Sequence, residues 1–237
     1  MTDATSLEGK LAIVTGASRG IGRATAALLA ARGARVVGCS VRGDAASSFL
    51  ADLSNADRAR CALFPCDVAN SAQVSAWAAQ VQERFGTPDV LVNNAGVVVR
   101  GALEDIDDAA WQRVMDVNVN GTFYVTRAFL PAIKSRGTGK IINISSIAGR
   151  QGTPKLVAYC TAKHAVVGFT RALSEELRGT QIRVNAVCPG SVDTDMLKIG
   201  MPGGKPNMQP ADIANVVVYL ATGAPAALMG ACVDVFG

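Results

Sequence analysis

Apolar residues follow two alternating patterns along the chain. Short runs that are almost continuously apolar lie at 11–16, 34–39, 62–66, 89–93, 140–145, 182–187 and 231–235. Between them, apolar residues recur at helical spacing over 21–32, 71–85, 108–136, 157–177 and 211–221. Strands buried on both faces lose the in–out alternation, and parallel strands need crossover helices. The pattern therefore predicts an α/β fold, a doubly wound parallel sheet of about seven strands with helices on both faces.

Length and composition fit one globular domain. A chain of 237 residues, of which 49% are hydrophobic and 18% charged, can bury a large core. The net charge of +4 is modest and the basic residues are scattered, which is not typical of a nucleic-acid-binding protein. We expect residues 1–237 to form one domain that has no nucleic-acid partner.

The sequence indicates neither export nor membrane insertion. Its first residues lack a basic start followed by an apolar stretch, and no apolar run approaches the ~20 residues that cross a bilayer. Six cysteines lie far apart without a CxxC pair, so neither a metal site nor a disulfide framework is predicted. We expect a cytoplasmic protein that binds no metal ion and no membrane.

A glycine-rich loop follows the first predicted strand. Residues 15–22 read TGASRGIG and lead directly into a predicted helix. These glycines allow a tight turn, a close approach of the backbone to a pyrophosphate, and close packing of helix and strand. Free N–H groups at the helix start favour an anion, although a turn without a ligand is the alternative. The predicted phosphate site comprises Gly16, Ser18, Arg19, Gly20, Ile21 and Gly22.

Tyr159 and Lys163 are candidates for proton transfer. They lie four residues apart at the start of a predicted helix, so their side chains emerge on one face. A phenol with a pKa of about 10 is a poor base near neutral pH, whereas a neighbouring ammonium group favours the phenolate. We therefore expect Lys163 to lower the pKa of Tyr159. Such a pair arises by chance in many proteins, so its meaning depends on the motifs around it.

With those motifs, the sequence resembles the short-chain dehydrogenase/reductase family over nearly its whole length. The glycine loop, NNAG at 93–96, Asn118, Ser146, YCTAK at 159–163 and CPG at 188–190 occur in the order and intervals of that family. The resemblance implies a Rossmann fold and a catalytic set of Asn118, Ser146, Tyr159 and Lys163. In that set Ser146 holds the substrate oxygen, Tyr159 moves the proton and Lys163 also holds the nicotinamide ribose. Asn118 would anchor a water that links Lys163 to solvent.

The resemblance also implies contacts to a nicotinamide dinucleotide. Asp67 would bind the adenine amino group, and the NNAG turn would line the adenosine side of the cofactor. Val192 and Thr194 would meet the carboxamide and pyrophosphate ends. Beyond the glycine loop, the implied contacts are Asp67, Val68, Asn93, Ala95, Gly96, Tyr159, Lys163, Pro189, Gly190, Val192 and Thr194.

The end of the second predicted strand favours NADP(H) over NAD(H). An acidic residue at this place would accept hydrogen bonds from the ribose 2′-hydroxyl and repel a 2′-phosphate, but the chain has Ser40 there. Arg19 and Arg42 can approach the same point, and guanidinium groups bind phosphate oxygens with paired hydrogen bonds. Arg42 as a solvated side chain is the alternative, which leaves NAD(H) possible.

These features predict an oxidoreductase that moves a hydride between NADP(H) and a carbonyl or alcohol. Segment 191–210, rich in Gly and Pro, is expected to be a mobile loop over the substrate. Val97, Val98, Val99, Leu156, Met196 and Met201 would make an apolar pocket for a hydrophobic ketone or a 3-oxoacyl group. The resemblance points to the β-ketoacyl-reductase-like branch and to a homotetramer or homodimer. The alternatives are an NAD-dependent alcohol or hydroxysteroid-type dehydrogenase, and a non-enzymatic NADP(H) sensor or partner subunit.

Overall fold

The computed structural model describes residues 6–41, 49–50 and 53–237. Within these residues, seven parallel strands form one sheet in the order β3-β2-β1-β4-β5-β6-β7. The strands are β1 (Leu11–Thr15), β2 (Arg35–Ser40), β3 (Cys61–Pro65), β4 (Val90–Asn93), β5 (Thr138–Ile144), β6 (Gln181–Pro189) and β7 (Cys232–Val235). The predicted doubly wound parallel sheet is confirmed.

Helices connect successive strands, as parallel pairing requires. They are α1 (Gly20–Ala31), α2 (Asn55–Arg58), α3 (Ser71–Phe85), α4 (Asp108–Met115), α5 (Gly121–Arg136), α6 (Val157–Glu176), α7 (Asp195–Gly200) and α8 (Pro210–Ala221). Single 3₁₀ turns lie at Leu103–Asp105 and Ile147–Gly149. Segment 191–210, predicted as an irregular loop, contains the short helix α7, which Thr194 caps by accepting a hydrogen bond from the Leu197 amide at 3.3 Å.

The helix predicted over 108–136 is divided by a wider, π-helical turn at Asp116–Asn120. The Asn118 side-chain amide donates to the carbonyl of Val114 at 2.8 Å and to that of Val97 at 2.9 Å. A side chain that takes a carbonyl of the preceding turn competes with the regular helical ladder, and such turns often occur at functional sites. The irregularity therefore places Asn118 toward the loop that follows β4.

Strand β1 illustrates why both faces of the sheet are covered. All of Leu11–Thr15 is buried. Leu11 and Ile13 belong to the core formed with α3 and α5, whereas Ala12 and Val14 belong to the core formed with α1 and α8. Burial of each large aliphatic side chain contributes about 1.5 to 3 kcal/mol. The two helical layers thus explain the continuously apolar strands in the sequence.

The topology directs a crevice to one edge of the sheet. β1 and β4 are neighbours although β2 and β3 come between them in sequence, so the winding direction reverses there. Ligands of open parallel sheets bind beyond the carboxyl ends of the strands at such a switch point. Among the described residues, no helix combines the length and apolar character needed to cross a bilayer.

Candidate active site

A cleft of about 600 Å³ lies at the switch point. Its walls come from the loops after β1, β2, β3, β4, β5 and β6, with α7 along one side. Most of the predicted site residues line it: Gly16, Ser18, Arg19, Gly20, Ile21, Gly22, Ser40, Asp67, Val68, Ala95, Gly96, Ser146, Tyr159, Lys163, Pro189, Gly190, Val192 and Thr194. Arg42 lies outside the described residues, and Asn93 and Asn118 lie behind the wall.

The glycine loop leaves the start of α1 open toward the cleft. Gly20 begins the helix with φ of +53°, a left-handed conformation that favours glycine. A Cβ on Gly22 would lie 2.3 Å from both the Gly16 carbonyl oxygen and the Asn94 side-chain nitrogen. Arg19, at the N-cap, makes no capping side-chain hydrogen bond, and the first turn carries no acidic residue. The free backbone N–H groups of the first turn of α1 and the positive end of the helix dipole therefore suit a phosphate.

The two asparagines of the NNAG turn have different roles. The Asn94 side chain donates to the Thr15 carbonyl at 2.8 Å and so ties this turn to the glycine loop. Asn93, predicted to line the cofactor, is instead buried and donates to Asn143 and Thr126 at 2.8 and 2.9 Å. In an extended strand alternate residues share a face, so Asn93 points to the α5 side of the sheet, as Leu91 does. Its side chain therefore joins β4, β5 and α5.

The end of the cleft beside β2 and β3, predicted to hold the adenosine, carries polar and charged groups. Ser40 lies at the end of β2, as predicted, and its hydroxyl donates to the Ser18 hydroxyl at 3.1 Å. The Arg19 guanidinium is exposed and forms an ion pair with Asp195 of α7 at 3.3 Å. Asp67 lies on the wall after β3, where Arg113 contacts its carboxylate at 3.0 Å.

Tyr159 and Ser146 face each other inside the cleft. Ser146 lies two residues after the end of β5, and its hydroxyl accepts a hydrogen bond from the Ala148 amide at 3.1 Å. Burial raises the pKa of Tyr159 to about 12, and a hydrogen bond with Ser146 only partly opposes the rise. The neighbouring Ser145 points away and donates to the Lys163 carbonyl at 2.9 Å. The phenol is therefore protonated at neutral pH, opposite to the expected shift toward phenolate.

Lys163 is enclosed as deeply as Tyr159. Its Nζ atom is buried, donates to the Ile144 carbonyl at 2.9 Å, and lies 5.6 Å from the centroid of the Tyr159 ring. Burial lowers the pKa of the Lys163 ammonium to about 8. Desolvation thus disfavours the charged form of both groups and is the largest cause of both pKa shifts.

Asn118 lies next to Lys163 behind Gly96. Its Oδ1 atom is buried and has no hydrogen-bond partner among the described residues. A Cβ on Gly96 would lie 2.8 Å from this oxygen and 3.5 Å from the Lys163 Nζ atom. The glycine therefore keeps open a polar gap between an unpaired acceptor and a buried ammonium group.

Helix α7 covers the end of the cleft that holds Tyr159. The Tyr159 hydroxyl donates to the Met196 sulfur at 3.6 Å, and Arg100 holds the Gly200 carbonyl at 3.0 Å. Met196 packs with Val98 and Leu156 beside the tyrosine. The Tyr159 hydroxyl thus opens into an apolar space, in the region predicted to contact substrate.

Residues 10–200 match the sequence model of the short chain dehydrogenase family. The chain belongs to the short-chain dehydrogenase/reductase family. A Streptomyces virginiae protein, provisionally named ketoacyl reductase of the monensin polyketide synthase, is 44% identical over 83% of this chain and 74% of its own length. The 3-oxoacyl-[acyl-carrier-protein] reductases of Chlamydia muridarum and Vibrio cholerae are 37% and 34% identical over 98% of this chain, and over 97% and 98% of their own lengths. This short-chain dehydrogenase/reductase is thus an oxidoreductase of the ketoacyl-reductase-like branch.

Asn94 and Arg113 also line the cleft, although neither was among the site residues predicted from the sequence. Asn94 is the second asparagine of the NNAG motif, whose other three residues were predicted contacts, so the same motif could have indicated it. Arg113 comes from α4, 46 positions after its partner Asp67, and no local pattern connects the two. The described residues contain no group of three His, Cys, Asp or Glu side chains placed to hold a metal ion.

Proposed function

We propose that this protein is an NADP(H)-dependent reductase of hydrophobic ketones or 3-oxoacyl groups. One observation carries the proposal. A single cleft joins the open N-terminus of α1, which suits a pyrophosphate, to the buried set of Ser146, Tyr159 and Lys163. When bound, the nicotinamide supplies or accepts the hydride.

The catalytic residues handle the substrate oxygen and its proton. Ser146 donates a hydrogen bond that positions the carbonyl oxygen, and Tyr159 gives that oxygen its proton as the alcohol forms. A phenol whose pKa lies near 12 is fully protonated at neutral pH, which suits donation in the direction of reduction. In alcohol oxidation the same hydroxyl must first lose its proton.

Lys163 and Asn118 restore the proton. With a pKa of about 8, Lys163 exchanges protons near neutral pH much more readily than a solvated lysine. The unpaired Asn118 oxygen can hold a water beside the ammonium group, and this would connect the site to solvent. Lys163 also presents its ammonium group to the ribose hydroxyls of the cofactor.

The adenosine end supports NADP(H). Ser40 brings no negative charge to the end of β2, and the Arg19 guanidinium is exposed. Its ion pair with Asp195 is on the surface, where such pairs contribute only about 0 to 1 kcal/mol. The guanidinium can therefore turn toward a 2′-phosphate at small cost, which is the basis of the preference.

The apolar surroundings of Tyr159 support a hydrophobic substrate. Val98, Leu156 and Met196 lie beside the tyrosine, and Met201 lines the same cleft. The relatives from Chlamydia muridarum and Vibrio cholerae are 3-oxoacyl-[acyl-carrier-protein] reductases, which adds weight to a 3-oxoacyl group. A ketone with an aliphatic chain would place its carbonyl at Ser146 and the chain along these residues.

Exposed apolar side chains support self-association. Phe123 near the start of α5 and Val157 at the start of α6 are each about 40% exposed. We infer a homodimer or homotetramer in which these two helices are covered, with residues 1–237 of each copy acting as one domain. Light scattering coupled to size-exclusion chromatography measures the mass, and a Phe123→Glu variant should lower it.

The Tyr159→Phe variant tests the mechanism. It keeps the ring but removes the proton donor, so turnover should fall by at least ~1,000-fold while cofactor affinity, measured by fluorescence titration, stays within about threefold. The matched control is Tyr219→Phe on the exposed face of α8, which should leave both quantities unchanged. Turnover of Tyr159→Phe close to that of the wild type would refute the assignment. Tight cofactor binding by the wild type without turnover would favour a sensor or partner subunit.

A further inference from the structure

Arg19 lies next to the end of β2, but its guanidinium is paired with α7. The preceding residue, Ser18, accepts a hydrogen bond from the Ser40 hydroxyl at 3.1 Å. The Arg19 Nη1 atom lies 3.3 Å from the Oδ2 atom of Asp195, the first residue of α7. Among the described residues, Asp195 is the one carboxylate that contacts this guanidinium. Arg19 therefore lies between the position proposed for a 2′-phosphate and an acid of its own chain.

Asp195 has a second cationic partner. Its Oδ1 atom lies 3.5 Å from the Nζ atom of Lys198, almost one turn further along α7, while its Oδ2 atom faces Arg19. All three side chains are largely exposed, so water and salt screen both ion pairs. The Asp195 carboxylate therefore keeps one counter-charge if Arg19 turns away, and the exchange of partners costs little.

Helix α7 has attachments that do not involve this ion pair. The Met196 sulfur accepts a hydrogen bond from the Tyr159 hydroxyl at 3.6 Å. At the other end of the helix, the Gly200 carbonyl accepts a hydrogen bond from Arg100 at 3.0 Å. A neutral side chain in place of Asp195 would therefore remove the contact with Arg19 and leave the helix over the cleft.

We propose that Asp195 is a specificity-determining residue, which competes with the 2′-phosphate of NADP(H) for the Arg19 guanidinium. The inference rests on the proposed function, because it requires a cofactor that brings a 2′-phosphate to Ser40. A phosphate carries more negative charge than a carboxylate and forms paired hydrogen bonds with a guanidinium group, so it displaces Asp195, which keeps Lys198. NAD(H) has no 2′-phosphate and leaves Arg19 with Asp195. Asp195 thus weakens the binding of NADP(H) alone.

Calorimetric titration with adenosine 2′,5′-bisphosphate and with AMP isolates this interaction, because the two ligands differ only in the 2′-phosphate. Asp195→Asn should bind the bisphosphate about two- to fivefold more tightly than the wild type, the range set by loss of an exposed ion pair, with AMP affinity unchanged. Arg19→Gln should bind the bisphosphate at least ~5-fold more weakly. When Arg19→Gln is already present, Asp195→Asn should have no effect, since the two groups then have no interaction to lose.

Asp193→Asn is the matched control. Asp193 is exposed, lies two residues before Asp195, and forms no ion pair within the part of the chain that the structure describes. The control removes the same charge, so at physiological ionic strength it should leave both affinities unchanged. An equal gain from Asp193→Asn and Asp195→Asn would assign the effect to the overall charge of the cleft and overturn the proposal. A gain from Asp195→Asn that persists with Arg19→Gln would also overturn it.

The same titrations separate this inference from the proposed function. If the wild type binds the bisphosphate no more tightly than AMP, the preference for NADP(H) is contradicted, and the competition with it. If the wild type prefers the bisphosphate and Asp195→Asn does not change its affinity, the preference stands and the role of Asp195 is refuted. Circular dichroism should show the same helix content in every variant.

Discussion

Replacing Lys163 with methionine should change how the stability of the protein depends on pH. Burial lowers the pKa of Lys163 from 10.5 to about 8 in the native state. Between these values the unfolded chain binds a proton that the native protein has released. Unfolding is then disfavoured as protons are removed, so this lysine makes the native state more stable as pH rises from about 8 to about 10.5, and less stable as pH falls through that window.

The size of the effect follows from the same two pKa values. Each pH unit across the window is worth about 1.4 kcal/mol for one group, so the full window gives about 3 kcal/mol. The range from about pH 7.5 to about pH 9.5 gives about 2 kcal/mol. Methionine also leaves the Ile144 carbonyl without its partner, which lowers stability by about 1 to 3 kcal/mol. That loss does not depend on pH and therefore does not alter the slope.

Urea unfolding of both proteins at a series of pH values and one protein concentration measures the effect. The free energy of unfolding of the wild type minus that of Lys163→Met should rise by about 2 kcal/mol over this range. The control is Lys198→Met on α7, whose side chain is 73% exposed and whose difference should stay flat. A flat or falling difference for Lys163→Met would contradict the conclusion that burial lowers the pKa of Lys163.

Three further substitutions test other parts of the site. Gly22→Ala should weaken cofactor binding at least ~10-fold and destabilise the fold by about 1 to 3 kcal/mol, because its Cβ would lie 2.3 Å from the Gly16 carbonyl oxygen. Gly152→Ala, whose Cβ meets open space, is the control in the cofactor titration and in urea unfolding. Equal behaviour of the two variants would count against the loop geometry. Ser40→Asp should shift the ratio of NADPH to NADH efficiency at least ~10-fold toward NADH, and an unchanged ratio would show that this position does not select the cofactor. Met196→Ala removes the sulfur that contacts the Tyr159 hydroxyl, so kcat/KM for bulky ketones should rise relative to small ones; equal changes for both would exclude Met196 from the pocket wall.

The fold was predictable because its signals are local. The apolar runs and the helical segments between them predicted a parallel sheet with helices on both faces. Strand β1 shows the physical reason, because Leu11 and Ala12 are buried in different cores. The helix boundaries at Ser71–Phe85 agree with the prediction, whereas Asn118 interrupts the helix predicted over 108–136. Its side-chain amide donates to the Val97 carbonyl in the loop after β4, and hydrophobic periodicity does not reveal a contact between such distant parts of the chain.

The site was less predictable where side-chain direction and burial decide the outcome. Asn93 belongs to the motif, yet its position on β4 turns it toward Asn143 and away from the cleft. For Tyr159 and Lys163 the spacing gave their common face but not their environment. Desolvation raises one pKa and lowers the other, and only the packed structure shows how deeply both are enclosed.

The most direct test of the central claim follows the absorbance of NADPH and of NADH with the purified protein and a panel of aliphatic ketones, steroids and 3-oxoacyl thioesters. We predict oxidation of NADPH with a hydrophobic ketone or a 3-oxoacyl thioester, at an efficiency at least ~10-fold above that with NADH. Absence of turnover with either cofactor across the panel, from a protein that binds NADPH, would contradict the proposed reductase activity.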